Sequence, residues 1–225
     1  MHQTGRMGKV TLRVKWIVAG LLCAAVVRAE IPREVALARQ GKALLPIVVA
    51  PGDNGQQREV ATDLATMLER ISGATFEIIE GDGARGIVVG MAEDFAALPF
   101  TAPPFGKHPF HREDYLLRSH ENGLYLLGAG PIALHNAVAD LLYRLGYRMF
   151  FPTATWEVVP KRPDLDIAVD IRESPDYVGR GINSRGDPVW RRRNRAQSGF
   201  QHSTGHAYGA IIRRHRETFN RHPEY

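Results

Sequence analysis

The sequence has little cysteine and no apolar run long enough for a permanent membrane anchor. Its single cysteine, Cys23, lies within the first 29 residues. The rest of the chain therefore has neither a disulfide framework nor a thiol nucleophile, and its core must stabilise it. The apolar run from Trp16 to Val27 has 12 residues, whereas a membrane-spanning helix needs roughly 20. These observations argue against a permanent anchor.

Internal repeats and low-complexity tracts are also absent, which argues against a solenoid or a disordered chain. The composition, with 44% hydrophobic and 24% charged residues, is ordinary for a globular protein with a real core. The 225 residues allow one or two domains.

The first 29 residues are typical of a secretory signal peptide. Four basic residues precede the apolar run, and the "VRA" of residues 27–29 has residues of small or modest size at the minus-three and minus-one positions. This pattern predicts export with cleavage after Ala29 and no stable membrane insertion afterwards. Cys23 is a weak candidate for a lipid-bearing cysteine, since Leu22 occupies the place where a small residue is expected.

The chain has no net positive charge once the residues of the leader are left out. The whole chain has a formal charge of +5, but the leader holds five Lys and Arg and no acid. The remaining chain has 24 basic and 24 acidic residues, distributed unevenly. Residues 180–221 contain ten arginines and two acids, while residues 30–179 contain 14 basic and 21 acidic residues. Any anion-binding role is therefore local to the last quarter of the chain.

Hydrophobic periodicity predicts a small α/β domain. The β-branched run at 44–52 predicts a buried strand, and apolar residues at helical spacing predict a helix over 56–73 that stops at Gly73. "TFEIIEG" and "RGIVVGM" predict two further strands. This β-α-β-β order is typical of an α/β fold.

The second half of this domain shows a loop, a hairpin and another helix. Residues 92–113 are rich in Pro and Phe without periodicity, which predicts a long loop. Two apolar strands flank Glu121-Asn122-Gly123, where Asn-Gly indicates a hairpin turn. A helix is predicted from Pro131 to Gly146, followed by short strands in "YRMFFP" and "TWEVVP". The domain is predicted to span 30–173.

The "GAGPIA" stretch at 128–133 satisfies the G-x-G-x-x-A pattern of dinucleotide sites. The preceding strand belongs to a hairpin, and Arg148 stands where an acid would hold a ribose. The favoured interpretation is a tight turn that requires glycine dihedral angles. No cofactor is predicted.

The segment 175–209 combines arginines, aromatic rings and polar side chains. Three interpretations remain open: nucleic-acid binding through phosphates and stacked bases, carbohydrate binding through guanidinium groups and rings, and a solvated helix. Adjacent arginines on a helix point around more than half its circumference, so only one or two can face a single pocket. His202 and His206 lie four apart, but "STG" between them is a poor helix, and no metal is predicted.

The words "GLYLLGAGPIALHNAVADLLYRLGYRMFFPTATWEVVP" and "PDYVGRGI" resemble the N-terminal α/β domain of bacterial β-N-acetylhexosaminidases and α-glucuronidases. The terminal "W-x-R-R-N-R", "G-H" and "H-P-E-Y" words are most similar to a related group of uncharacterised secreted bacterial proteins. The resemblance covers about residues 44–225. It implies a mixed sheet with packing helices, like the second domain of hexosaminidases, followed at 174–225 by the incomplete start of a TIM (β/α)8 barrel.

This resemblance implies a secreted or periplasmic bacterial protein that binds an oligo- or polysaccharide containing uronic acid or amino sugars. Its catalytic carboxyl groups are expected on barrel strands beyond Tyr225, so these 225 residues alone are expected to be inactive. Arg180 matches the family arginine that binds sugar hydroxyls. Further candidates at the rim are Asn183, Trp190, Arg193, Asn194 and His206.

Two alternatives to an enzyme remain. The first is a scaffold or carbohydrate-binding protein with a degenerate barrel. The second, less favoured, is an exported nucleic-acid binder. The family places an aspartate near the position where this chain reads "INSRGD", and this departure puts hexosaminidase chemistry itself in doubt.

Overall fold

The architecture is a mixed α/β fold. The computed structural model describes residues 32–106, 108–177, 179–180, 187–196 and 208–224. The strands are β1 (Val35–Arg39), β2 (Lys42–Ala43), β3 (Ile47–Val49), β4 (Ile78–Glu80), β5 (Gly86–Gly90), β6 (Tyr115–His120), β7 (Gly123–Gly128), β8 (Arg148–Met149), β9 (Glu157–Val158), β10 (Leu165–Ile167) and β11 (Asp170–Glu173). The helices are α1 (Gln56–Ser72), α2 (Pro131–Arg144), α3 (Pro188–Arg193), α4 (Tyr208–Arg214) and α5 (Arg216–Arg221).

The main sheet has six strands in the order β11-β6-β7-β5-β3-β4. Strands β4, β3, β5 and β7 run parallel, and β6 and β11 extend one side through antiparallel pairings of β6 with β7 and of β11 with β6. Helix α1 links two of the parallel strands, and α2 follows β7. The predicted α/β class, a mixed sheet with packing helices, is confirmed.

Both faces of this sheet are covered, which explains its nearly continuous apolar strands. Helices α1 and α2 bury Leu64, Leu68 and Leu141 with the sheet in the larger core. The Pro- and Phe-rich segment covers the opposite face, where Phe95 and its neighbours pack with Val88 and Tyr125. This segment is irregular, as predicted, apart from two short 3-10 turns, and it forms a second core.

Two smaller sheets flank the main one. Strand β1, which the periodicity did not indicate, pairs with β10 and β2 in a three-stranded antiparallel sheet. Strand β1 is only five residues long and is followed by exposed polar residues, so its pattern is weak without its partners. Strands β8 and β9 pair with each other, as expected for "YRMFFP" and "TWEVVP".

The hairpin is where the Asn-Gly signal predicts it, but the glycine serves a different purpose. His120 pairs with Gly123, so the two loop residues are Glu121 and Asn122 and the glycine opens β7. Gly123 has a φ of 152°, and a Cβ there would lie 2.0 Å from the carbonyl oxygen of Gly86 in β5. Close approach of two parallel strands therefore requires this glycine.

The "GAGPIA" turn also differs from its prediction in one respect. Gly130 has an extended backbone, with a φ of 171°, which any residue adopts. A Cβ on Gly128 would lie 2.9 Å from the Cβ of Ala133 and 3.0 Å from the amide nitrogen of Leu134. Close packing of α2 on the end of β7, rather than special glycine dihedral angles, explains the first glycine.

The sheet ends at β11, whose Glu173 pairs with Tyr115 of β6. Of the residues that follow, 174–177 and 179–180 form no strand. The short helix α3 begins after them, and α4 and α5 contact each other. The predicted boundary near 173 and the predicted start of a barrel stay predictions.

Candidate functional site

A cleft of about 320 Å³ lies between the segment after β11, the start of β6 and the side of α2. We call it the Asn136 cleft. Its lining includes Tyr115, Asn136, Tyr177, Arg180, Asn194 and Arg195. The cleft brings together Arg180 and Asn194, two of the side chains proposed from the sequence, and adds residues from the α/β domain.

Arg180 is fixed at the cleft by contacts on three sides. Its Nη2 donates to Glu113, its Nη1 donates to the carbonyl of Tyr177 at 2.8 Å, and its Nε donates to the carbonyl of Arg195 at 3.0 Å. The side chain of Glu113 is 4% exposed, against 20% for that of Arg180. This buried ion pair therefore holds the guanidinium in place while leaving part of it at the cleft surface.

Asn136 is a buried polar residue of the cleft whose side chain has no hydrogen-bond partner among the described residues. It lies on α2 and is 3% exposed. Among the described residues its amide makes no hydrogen bond, although buried amides are normally paired. The cleft therefore presents both a donor and an acceptor that a ligand can satisfy.

A second buried polar group on the same helix anchors Arg195. The Tyr115 hydroxyl donates to Asp140 at 3.0 Å and accepts from Arg195 at 3.2 Å, and Arg144 pairs with the other oxygen of Asp140 at 3.2 Å. Burial, aided by the charge of Asp140, raises the pKa of Tyr115 above its usual range. Arg195 has a φ of 51°, an uncommon backbone for an arginine.

Helix α3 is positioned by local capping. Asp187 accepts the Trp190 amide at 2.6 Å, and Pro188 occupies the first turn. The Trp190 indole donates to the carbonyl of Phe150 at 3.1 Å, and the Asn194 side chain donates to the carbonyl of Met149 at 3.0 Å. Both polar groups therefore tie α3 to the segment that begins at β8.

Arg193, the remaining described candidate, lies away from the Asn136 cleft. Both of its terminal nitrogens donate to Asp63 of α1 at 2.6 Å, and its side chain is 6% exposed. This bidentate ion pair uses the terminal donors of Arg193, so the side chain is poorly placed to bind a ligand. Asn183 and His206, the other candidates, lie outside the described residues, so the candidate set stays a prediction.

The acids that anchor the arginine-rich segment were missed from the sequence. Arg180 binds Glu113, Arg192 binds Glu59 at 3.3 Å and Arg193 binds Asp63. The excess of acids over residues 30–179, set against the ten arginines that follow, was the available signal. Asn136 left no comparable signal, because it lies two residues from both Leu134 and Val138, on the side of α2 away from the apolar stripe.

A histidine stands beside the α1–α3 ion pairs. The Nδ1 of His135 on α2 is buried and has no hydrogen-bond partner within the described part of the chain. Burial lowers the pKa of His135, and the charges of Arg192 and Arg193 lower it further, against Asp63 and Glu59. The imidazole is therefore held neutral at the junction of three helices.

This arrangement predicts a loss of stability at mildly acidic pH. Because the pKa of His135 is lower in the folded than in the unfolded state, its effect is absent above about pH 6.5 and destabilising below it. Each unit of pKa lowering costs about 1.4 kcal/mol at low pH. The melting temperature of the His135→Gln variant is expected to fall less than that of the wild type between pH 7 and pH 5. The exposed His108→Gln variant should follow the wild type; equal losses in all three proteins would contradict the prediction.

A separate crevice of about 240 Å³ lies at the carboxyl ends of β3 and β5, next to Pro131. Asp53 already accepts the amides of Gln57 and Arg58, at 3.1 and 2.9 Å, at the start of α1. A pyrophosphate would meet this carboxylate, and Pro131 supplies no amide donor at the start of α2.

Over the described residues, no group of three or more His, Cys, Asp or Glu side chains could hold a metal ion. Within the same residues, no helix is both long and apolar enough to cross a membrane.

No protein-family model and no curated protein sequence matches the chain. Among solved structures, it is similar to the GH20 β-N-acetylhexosaminidase of Streptomyces coelicolor A3(2), at 22% identity and a TM-score of 0.44 over 67% of this chain and 26% of that one. A family GH115 4-O-methyl-α-glucuronidase with specificity for decorated arabinogalactans gives 18% identity and a TM-score of 0.44 over 61% and 18% of the two chains. The β-hexosaminidase of Streptomyces plicatus gives 18% and 0.43 over 67% and 26%. The chain thus spans about a quarter or less of the length of these structures.

Proposed function

We propose that this protein is the N-terminal part of an exported, glycoside-hydrolase-like bacterial protein that acts on a polysaccharide containing uronic acid or amino sugars. In this proposal the Asn136 cleft contacts the saccharide. The observation that carries it is the buried amide of Asn136, which faces the cleft without a partner.

The chemistry of the cleft suits a saccharide. A sugar hydroxyl both donates and accepts hydrogen bonds, and so does the Asn136 amide. Arg180 adds a fixed positive charge at the cleft surface, with each of its three nitrogens donating to a protein group. Tyr177 is 74% exposed, and its ring is available to cover the C–H face of a sugar. A saccharide would therefore satisfy the amide and use the arginine and the ring together.

The experiment is saccharide binding by an Asn136→Leu variant. Because the Asn136 side chain makes no hydrogen bond within the described protein, leucine is expected to leave the melting temperature unchanged or raise it. Affinity for the polysaccharide should fall by about tenfold, which corresponds to one or two lost hydrogen bonds. Affinity electrophoresis in gels containing uronic-acid or amino-sugar polymers measures this. Unchanged affinity would remove the Asn136 cleft from the proposal.

Two tyrosines of equal exposure provide a matched comparison. Tyr177 lines the cleft, whereas Tyr208 on α4 lies outside its lining, and each is 74% exposed. Tyr177→Ala is expected to weaken binding by about three- to tenfold through the loss of ring stacking. Tyr208→Ala should bind as the wild type does, and the reverse order would contradict the assignment.

The catalytic groups are proposed to lie beyond Tyr225. Glycoside hydrolysis uses two positioned carboxyl groups, one of them protonated. This chain alone is therefore expected to bind saccharides without hydrolysing aryl glycosides, and measurable turnover would overturn that part. Paired acids at strand ends in the longer protein would favour an enzyme, and their absence would favour a scaffold.

A further inference from the structure

Arg148, at the start of β8, carries a positive charge that the described residues do not neutralise. Its Nη1 donates to the carbonyls of Tyr143 and Tyr147, at 2.6 and 2.7 Å, and none of its contacts is with a carboxylate. Its guanidinium carbon lies 3.5 Å from the centre of the Tyr143 ring. The two carbonyls and the ring hold the group in place and leave its other donors available.

This guanidinium lines an open pocket of about 530 Å³ together with two further arginines, Arg144 and Arg195. We call it the Arg148 pocket. Arg144 is held by Asp140, and Arg195 by the Tyr115 hydroxyl. These partners, Asp140 and Tyr115, belong to α2 and β6. The fold therefore fixes the positions of both arginines in the absence of a ligand.

The charge of the pocket is positive. Its lining contains three arginines against two acids, Asp140 and Glu173. Asp140 is already engaged by Arg144 and the Tyr115 hydroxyl, so it is not a free acceptor. Glu173 lies near Arg195, where its charge acts on the guanidinium. The positive charge that stays uncompensated is that of Arg148, and one negative charge on a ligand would neutralise it.

The Arg148 pocket adjoins the Asn136 cleft. Arg195 and Glu173 line both, so the two spaces lie on either side of these residues. A saccharide of two or more residues that contacts Asn136 would extend past Arg195 toward Arg148.

We propose that the Arg148 pocket is an anion subsite that binds a carboxylate or sulfate group carried by the saccharide. This proposal rests on the proposed function, because the Asn136 cleft supplies the neighbouring sugar contact. The oxyanion accepts from the donors of Arg148 that the carbonyls of Tyr143 and Tyr147 do not use, and Arg144 and Arg195 add attraction. The Tyr143 ring packs against the Arg148 guanidinium and helps to hold it in place.

The test compares three kinds of oligosaccharide of equal length: a neutral one, an oligouronate and a sulfated one. Isothermal titration calorimetry on the wild type should give at least tenfold tighter binding of one charged oligomer than of the neutral one. Tight binding of the oligouronate identifies a carboxylate ligand, and tight binding of the sulfated oligomer identifies a sulfate ester. Arg148→Gln should remove this preference while leaving the affinity for the neutral oligomer unchanged.

The matched control is Arg85→Gln. Arg85 is an exposed arginine that directly precedes β5, at the end of the sheet opposite Tyr115 and Gly128. Arg85 has the same charge as Arg148 but lies away from the pocket. Arg85→Gln should therefore leave the preference for the anionic oligomer intact. If both variants lose the preference equally, the effect comes from net charge and the subsite is wrong.

The two proposals fail in different ways. Equal binding of neutral and charged oligomers, with no effect of Arg148→Gln, would overturn the subsite and leave the saccharide function standing. No binding of any oligosaccharide would overturn both. Tighter binding of single-stranded DNA than of every oligosaccharide, with steep salt dependence, would replace both with a nucleic-acid role.

Discussion

Replacing Gly123 with alanine is expected to lower the free energy of unfolding by about 4 kcal/mol. The new Cβ would lie 2.0 Å from the carbonyl oxygen of Gly86, and β5 and β7 would have to move apart in the middle of the sheet. Overpacking of this kind costs about 1–3 kcal/mol. The φ of 152° at this position adds about 1–3 kcal/mol of backbone strain for any residue with a side chain.

Gly130→Ala is the control for this variant, since it adds the same methyl group near the other end of β7. Its nearest neighbour would be the carbonyl oxygen of Arg112 at 3.7 Å, an ordinary contact. The cost should stay below about 1 kcal/mol, from the poorer N-cap that alanine gives α2. Urea unfolding followed by far-UV circular dichroism measures both variants. Equal losses would show that the strands do not approach as closely as described.

Gly123 shows which features of the fold the sequence patterns could not predict. The strands and helices follow from local patterns, since β-branched runs build β3 and β5 and an apolar stripe ending at Gly73 builds α1. The need for glycine at position 123 arises from Gly86, a partner that is distant along the chain. A local turn signal at Asn122-Gly123 therefore predicts the right hairpin for a different reason.

The candidate site shows the same limit. Composition leaves the role of the arginines of "WRRRNR" open, and the resemblance makes Arg193 a rim candidate, because the partners of these arginines are not visible locally. Asp63 lies 130 residues before Arg193, and only the fold brings the two together. The excess of acids before residue 180 and of arginines from it onward indicated that the two segments form ion pairs. It did not identify the individual pairs. Asn136 was not indicated by the sequence pattern, and it is a candidate only because its amide has no hydrogen-bond partner among the described residues.

Replacing Arg193 with methionine is expected to cost about 3 kcal/mol of stability, because it leaves Asp63 as an uncompensated charge in a mostly buried place. Burial raises the pKa of Asp63, but the hydrogen bonds and charge of Arg193 bring it below its usual value. Without Arg193 this pKa should rise, so the variant should also lose less stability on acidification than the wild type. Thermal and urea unfolding at pH 7 and pH 3 measure both effects, because the wild type loses the contribution of Asp63 only below about pH 4.

Arg192→Met is the matched control, since it removes the neighbouring arginine from the same helix. Its partner Glu59 is 68% exposed and lies 3.3 Å away, so its loss should cost less than about 1 kcal/mol. The double variant Asp63→Leu, Arg193→Met should regain most of the stability that Arg193→Met loses, because an apolar pair of similar size needs no charge partner. A double variant as unstable as the single one would mean that the arginine stem, rather than the ion pair, holds α3 on α1.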